Sequence, residues 1–395
     1  QGQADAVLDS RTGITTAQYY DSLGRPSISR WTIDGVSYDV SQGYDASGRP
    51  STVTYPDGEA VTTGYDAGGR VYSVAGTSTY VSSLTYKSQG QLDTVSLGNG
   101  VSVTHGYNEN RGWLTSKQAS NGSVQSLRYG YYNNGQVQWS RDDLHGLESF
   151  DYTYDPLGRL TAATHVSNSG YSQSYAYHDD GRIDSKSDVG TFAYNSGKPH
   201  AVSAAGSRSY AYDANGNAMS AAGQTLTYNQ DDQPTTICNG SACSTYVYDP
   251  DGARVKKVTA SGTTIYVGGV YEKRPDNEVV KYYRAGGALV ARRSSIQGVH
   301  WLLGSRLGSV QKVLTSAGAV ARHQMHLAFG QSVVSSGGTF GEAHGYTGHL
   351  EDAESGFTFM NARYYDPVIG RFLSPDAVKQ VGMQQHDPYA YESND

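Results

Sequence analysis

Three places in the sequence bring together side chains capable of chemistry. Cys238 and Cys243 flank Asn239-Gly240-Ser241-Ala242 in what reads as a turn. They form either a small disulfide loop or a pair of free thiols. Closing so short a loop stabilises a fold by about 2 kcal/mol or less, and two cysteines are too few for a structural zinc site. His323 and His326 stand three apart before Leu327-Ala328-Phe329-Gly330. As metal ligands they would have to share a face, yet the strand period points them to opposite faces, and no carboxylate or cysteine set accompanies them. The stretch from Gly190 to Gly197-Lys198 has the glycines of a phosphate loop, but the spacing is wrong and Pro199 follows at once. It reads as a hairpin turn. No cofactor or metal is expected.

These residues must be held by elements that the sequence announces repeatedly. Twelve times a Tyr closes an alternating stretch, usually with Asp or Asn beside it, then two loose residues, a Gly and often an Arg. The clearest copies are Tyr20-Asp21-Ser22-Leu23-Gly24-Arg25, Tyr44-Asp45-Ala46-Ser47-Gly48-Arg49, Tyr65-Asp66-Ala67-Gly68-Gly69-Arg70 and Tyr154-Asp155-Pro156-Leu157-Gly158-Arg159. Weaker copies keep the Tyr and the Gly, as in Tyr132-Asn133-Asn134-Gly135, Tyr177-His178-Asp179-Asp180-Gly181 and Tyr248-Asp249-Pro250-Asp251-Gly252. Between them, runs such as Thr52-Val53-Thr54-Tyr55 alternate with period two, the pattern of half-buried strands. In the turns, Asp or Asn accepts a hydrogen bond from the backbone two residues on, and Gly supplies positive φ. Each unit of two strands and two turns cannot bury its own face, so units must stack into one long antiparallel sheet. Helix signals are almost absent.

Composition fits such a wall. The 395 residues include 48 Gly and 33 Tyr but only 7 Phe and 4 Met, and mean hydropathy is -0.54. Tyr takes over the packing, covering apolar area while its hydroxyl still reaches water or backbone. The net charge of -7 and the lack of a basic run argue against nucleic-acid binding. No apolar run of membrane-spanning length occurs, and Gln1-Gly2-Gln3-Ala4-Asp5 has no leader character, so an export signal is expected outside this chain.

The Tyr-Asp repeats resemble the YD repeats of the Rhs family, which includes bacterial Rhs polymorphic toxins, the C components of Tc toxins and the related shell of teneurins. The C-terminal stretch is more specific. Gly345-Tyr346-Thr347-Gly348-His349, Asp352-Ala353-Glu354-Ser355-Gly356-Phe357 and the run from Asn361-Ala362-Arg363-Tyr364-Tyr365-Asp366 to Ser374-Pro375-Asp376 resemble the Rhs-repeat-associated core nearly position by position. The resemblance implies an all-β fold, a spiral of stacked antiparallel hairpins forming a hollow shell, with the core curling inward as a plug. Residues 1–295 would form the shell and 296–395 the core. It further implies a secreted or cell-surface bacterial protein whose shell encloses its own C-terminal effector segment.

In that family the core cuts its own backbone with an Arg and two Asp residues. Motif match places the Arg at Arg363 and the first Asp at Asp376. Paired carboxylates can share a proton and activate water, and a guanidinium can hold one of them charged. The second Asp belongs to an Asp-Pro-x-Gly-like segment that is expected after Asp387-Pro388-Tyr389-Ala390-Tyr391 and is not found by Asp395; neither Asp387 nor Asp395 has a matching context. Self-cleavage is therefore the most that is expected of the chain as an enzyme, and as given it is expected to be inactive. Arg363 and Asp376 can equally be a structural ion pair. A further departure is Ser305-Arg306, which replaces an acidic residue before Leu307-Gly308-Ser309.

About 28 strands at ~4.8 Å each would make a sheet roughly 135 Å wide, or one ring about 43 Å across. One such ring does not seal a cargo, so an upstream shell segment or a second copy is expected at the open edge near Tyr20. The alternative function is an extracellular adhesion, carbohydrate-binding or self-assembling array, since tyrosine faces can stack on sugars.

Overall fold

The computed structural model describes residues 4–9, 12–195, 197–337, 343–376 and 387–391. It is all-β, and its helical content among the described residues is two short 3-10 turns, Ser169–Tyr171 and Tyr346–Gly348. Thirty-three strands, numbered in chain order from β1 (Ala4–Asp9) to β33 (Ser332–Ser336), form one antiparallel sheet in which sequence neighbours pair. The register at the start is typical: Ala4 faces Tyr19 and Asp9 faces Ile14. Residue 296 lies in a turn within this sheet.

Each repeat builds its turn as its residue types require. The Asp21 Oδ1 accepts from the Leu23 and Arg25 amides, both at 2.9 Å, and Oδ2 accepts from Arg25 Nε at 2.8 Å. Gly24, Gly48, Gly69 and Gly158 have φ of 76°, 80°, 79° and 88°, the left-handed region that glycine enters without steric cost. Where Gly is missing, Asp232 takes the position with φ 58°. The backbone N–H donated by each repeat's arginine, followed by its guanidinium, holds the Asp21 and Asp45 carboxyls below the usual aspartate range.

The ladder is tied across units as well as within them. The Tyr44 hydroxyl donates to the Pro26 carbonyl at 2.7 Å, Tyr86 to Val71 at 2.7 Å and Tyr177 to Leu160 at 2.7 Å. In each case the acceptor is the residue just after the preceding repeat's arginine. That arginine lies over the same tyrosine ring: Arg25 is 4.1 Å from the Tyr44 centroid, Arg49 is 4.3 Å from Tyr65 and Arg159 is 4.7 Å from Tyr177. Where Gln replaces Arg, its amide reaches the next repeat's glycine carbonyl, as Gln136 does to Gly158 at 2.8 Å.

One repeat sits in a different register from the one its sequence suggests. The strand-closing tyrosine at 131–136 is Tyr131, whose hydroxyl donates to the Leu114 carbonyl at 2.6 Å, whereas Tyr132 occupies the first turn position. The reason is a bulge between Gly130 and Tyr131. Equivalent shifts precede Tyr44, Tyr65 and Tyr107. A bulge adds one residue and increases the local twist that curls a sheet.

The sheet curls past a full turn. β28 (Val279–Ala285) comes to lie against β7 (Val71–Ala75), and β29 (Ala288–Ser294) against β8 (Thr79–Tyr86), twenty-one strands on in both cases. At ~4.8 Å per strand that makes a ring roughly 32 Å across, narrower than the single ring anticipated from about 28 strands. The surplus strands overlap the first turn, and a common core joins them, from Ile14, Val81 and Val103 to Tyr283, Ala291 and Trp301. β1 has only β2 (Ile14–Tyr20) as a strand neighbour among the described residues.

A separate four-stranded sheet follows: β34 (Leu350–Asp352), β35 (Phe357–Met360), β36 (Arg363–Asp366) and β37 (Arg371–Phe372). Its Phe357, Phe359, Tyr364 and Leu373 pack on Ile183, Tyr210, Leu226 and Tyr246 of the wall. The wall strands there alternate buried and exposed residues, so one face is given to this plug.

Cys238 and Cys243 face each other across a hairpin and are disulfide-bonded. Both lie toward the surface, and the loop they close is short. The double replacement C238S/C243S is expected to lower stability by about 2 kcal/mol or less, as read from denaturant titration beside the reduced wild type.

Candidate functional site

The plug brings together residues that lie far apart in sequence. Asp352 of β34 is buried with Arg254 of the wall. Arg254 Nη1 donates to Asp352 Oδ2 at 2.6 Å, Tyr364 donates to the same oxygen at 2.8 Å, and Lys257 Nζ lies 3.1 Å from Oδ1. The Arg254 guanidinium also stacks 4.5 Å from the Phe359 ring. Burial pushes the Asp352 carboxyl upward, but Arg254 and Lys257 outweigh that and hold it below its ordinary value. At the other end of the plug, Arg371 pairs with Asp387 at 2.5 Å and donates to the His200 carbonyl of the wall at 2.9 Å. Burial raises the Asp387 carboxyl, and Arg371 with His200 overcomes this, leaving it at about 2.

Arg363 and Asp376, placed apart by thirteen residues, do meet. Arg363 Nη2 donates to Asp376 Oδ2 at 3.2 Å. Both also hold one peptide carbonyl, that of Pro388: Arg363 Nη1 donates to it at 3.1 Å and the Asp376 amide at 2.9 Å. The Arg363 guanidinium lies 3.8 Å from the Phe372 ring, and burial lowers it from its usual value while Asp376 opposes that shift. The arrangement is a carbonyl polarised by a guanidinium and an N–H, with a carboxylate in the same ion pair. Asp387, held charged by Arg371, is not poised to share a proton. Asp395 lies outside the described residues.

The two histidines have different partners. His323 is buried, and burial together with Lys312 lowers it to about 4. His326 Nε2 contacts Glu351 Oε1 at 2.8 Å. No group of metal-ligating residues occurs among the described residues. Gly190–Asn195 is a strand, longer than the turn expected there. Residues 304–310 do form a turn, with Gly308 N–H donating to the Ser305 carbonyl at 3.2 Å.

Residues 118–394 match the family described as Teneurin YD-shell, and residues 44–80 match the RHS Repeat. The chain belongs to the teneurin YD-shell family. Among curated relatives, the tRNA3(Ser)-specific nuclease WapA of Bacillus spizizenii is 28% identical over 201 residues, which is 47% of this chain and 9% of the nuclease. The tRNA nuclease WapA of Bacillus subtilis is 27% identical over 201 residues, again 9% of that protein. The YD-shell chain thus spans about a tenth of the length of the curated relatives it matches. Its fold is that of the TcdB2-TccC3-Cdc42 crystal structure, with a TM-score of 0.80 and 20% identity over 100% of this chain and 23% of that one. A Photorhabdus luminescens Tc holotoxin pore gives a TM-score of 0.76 at 19% identity, covering 100% and 23%.

Some groups of this YD-shell gave no signal in sequence. Glu148 lines a cavity of about 170 Å³ with Ser140, Arg306 and Tyr346; burial raises its carboxyl to about 7, against a hydrogen bond from Gln311. Lys117 is drawn down to about 8 by burial. Arg306 and Gln311 beside Glu148, and Gly304 beside Lys117, come from more than 150 residues away, so no local pattern marks them.

Proposed function

We propose that this chain is the closing part of a toxin shell that shields a segment of its own polypeptide, with Arg363 and Asp376 as the working half of a self-cleaving core. The carrying observation is the Pro388 carbonyl, gripped by Arg363 and the Asp376 amide inside a plug whose buried charges tie it to the wall. Such a grip holds a backbone amide in a fixed position beside an acidic group, as peptide cleavage requires. A wall of more than one turn, with the plug packed on one face, supports the reading of an enclosure. In place of the boundary at 295/296 expected from the sequence, which falls within the long sheet, the shell would run through Ser336 of β33 and the plug would begin at Leu350 of β34, with the exported route shared with the family's toxins.

The competing reading, a sugar-binding tyrosine array, meets an obstacle in the ladder. The tyrosine rings at Tyr44, Tyr65 and Tyr177 are covered by arginine, and their hydroxyls are used by carbonyls.

The test is the full-length polypeptide bearing this chain, expressed as wild type and as Asp376→Asn. Denaturing electrophoresis with intact-mass measurement is expected to show two fragments from the wild type and one uncut chain from D376N. Equal fragments from both, or no fragments from either, overturn the cleavage reading; a released segment that proteases digest in the folded wild type overturns the enclosure.

A further inference from the structure

Between wall and plug lies a cavity of about 650 Å³, in the range of small-molecule sites and too small for a folded domain. It is lined by β9 (Leu92–Leu97), β29 and β30 (Gly298–Gly304) on the wall side and by residues 347–350 on the plug side. Aliphatic side chains dominate. The charged and titratable members are Lys117, Arg284, Arg306, His105, His344, His349 and Tyr107, and no aspartate or glutamate is among the described lining residues. In a chain of net charge -7, that is an enclosure of the opposite sign.

At several places in the wall, arginines and lysines are matched with carboxylates, as at Arg25–Asp21, Arg274–Glu272 and Lys281–Glu59. Here they are not: among the described residues Lys117 Nζ donates to the Gly304 carbonyl at 2.8 Å and Arg284 to the Gly287 carbonyl at 3.1 Å. The basic groups also press on one another. Burial and then Lys117 lower His105 to about 4, and burial, His344 and Arg284 lower His349. Lys117 is desolvated while Arg284 and Arg306 reach solvent, and a desolvated cation with no carboxylate in the lining is costly unless an anion joins it.

We propose that this cavity binds a small amphipathic anion, an apolar body carrying one carboxylate- or sulfonate-like head. The head meets Lys117, Arg284 and Arg306, and the body lies on the aliphatic wall. The inference is independent of self-cleavage.

The experiment compares two fluorescent probes on the folded chain: 8-anilinonaphthalene-1-sulfonate and N-phenyl-1-naphthylamine, which has the same aromatic body without the sulfonate. Saturable one-to-one binding of the sulfonate is expected, at least tenfold tighter than the neutral probe. Lys117→Met and Arg284→Gln are each expected to weaken the sulfonate about tenfold, the worth of a charge-assisted contact, and to leave the neutral probe unchanged. Leu289→Trp, which fills the cavity, removes both. Arg284 is exposed, so R284Q keeps the fold and its far-UV spectrum checks this. Equal affinity for the two probes, no saturable binding, or R284Q and L289W variants that bind the sulfonate as wild type does would overturn the proposal.

Discussion

Replacing Glu59 with alanine is expected to cost about 3–5 kcal/mol, the range for breaking a buried charged network on one side. Glu59 sits in a turn of the first spiral turn, and its carboxylate collects donors from both. Thr77 and Tyr80 hydroxyls donate to Oε1 at 2.6 Å each, the Tyr283 hydroxyl donates to Oε2 at 2.8 Å, and Lys281 Nζ lies at 2.5 Å from Oε2. Arg293 adds a longer contact at 3.4 Å. The Tyr80 and Tyr283 rings stack at 3.5 Å beside it. Removing the carboxylate leaves two buried hydroxyls without their acceptor, while Lys281 keeps Asp57 at 2.6 Å. Domains have ~5–15 kcal/mol in total, so this loss is a large share. Urea denaturation of E59A and Glu59→Gln measures it, with the amide variant falling between wild type and alanine. A loss below about 1 kcal/mol for E59A would show that the two turns are held by their apolar core alone.

The same residue sets an acid limit. Burial pushes the Glu59 carboxyl up, but Lys281, then Thr77, Tyr80 and Tyr283, bring it from 4.5 to about 2. A carboxylate depressed in the folded state contributes stability that is complete above the unfolded value and fades as pH falls through the folded one. The wild type is therefore expected to lose this share between about pH 4.5 and pH 2. E59Q should be flatter across that window.

Asp352→Ala is expected to release the plug, at a comparable cost of about 3–5 kcal/mol. The change strands Arg254, which is wholly buried and is pushed well above its usual value by Asp352, against burial. Lys257 retains Glu354 at 3.1 Å, so the loss centres on Arg254 and Tyr364. Limited proteolysis reads the result: early cuts within 350–376 of D352A, with the strands before Ser336 still protected. Protection of the plug at wild-type rates would mean that Phe357, Phe359, Tyr364 and Leu373 seat it without the ion pair.

Much of this fold is written locally. The Asp-to-amide bonds, the positive φ of Gly24 or Gly69 and the period-two strands each depend on residues within five positions, so turn chemistry alone predicts them. The meeting of Arg363 and Asp376 followed from the C-terminal resemblance. What could not be read depends on curvature. The overlap of β28 with β7 follows from small bulges summed over twenty-one strands, and no single bulge in the sequence announces its total. Glu59 looks like one more turn residue until Tyr283, more than two hundred positions away, arrives beside it. Tyr132 was misplaced by one residue because two tyrosines adjoin, and only the bulge at Gly130 decides between them. Lys117 and Glu148 carry no pattern at all, since their shifts come from what the spiral folds over them.

Where a repeat carries the arginine, as at Arg25, Arg49, Arg70 and Arg159, it covers the tyrosine of the next, and that tyrosine's hydroxyl reaches back to the residue after the arginine. Along the chain such units are latched to their immediate neighbours, and the latch is the same at Arg25–Tyr44 and at Arg159–Tyr177, while Glu59 and Tyr283 join one turn of the spiral to the next. A whole unit can be duplicated or lost and the latch re-forms across the junction, whereas a cut inside a unit breaks two. A wall latched in this way can change length in steps of one repeat with its turn chemistry untouched, provided the contacts between one turn of the spiral and the next are reset to the new offset.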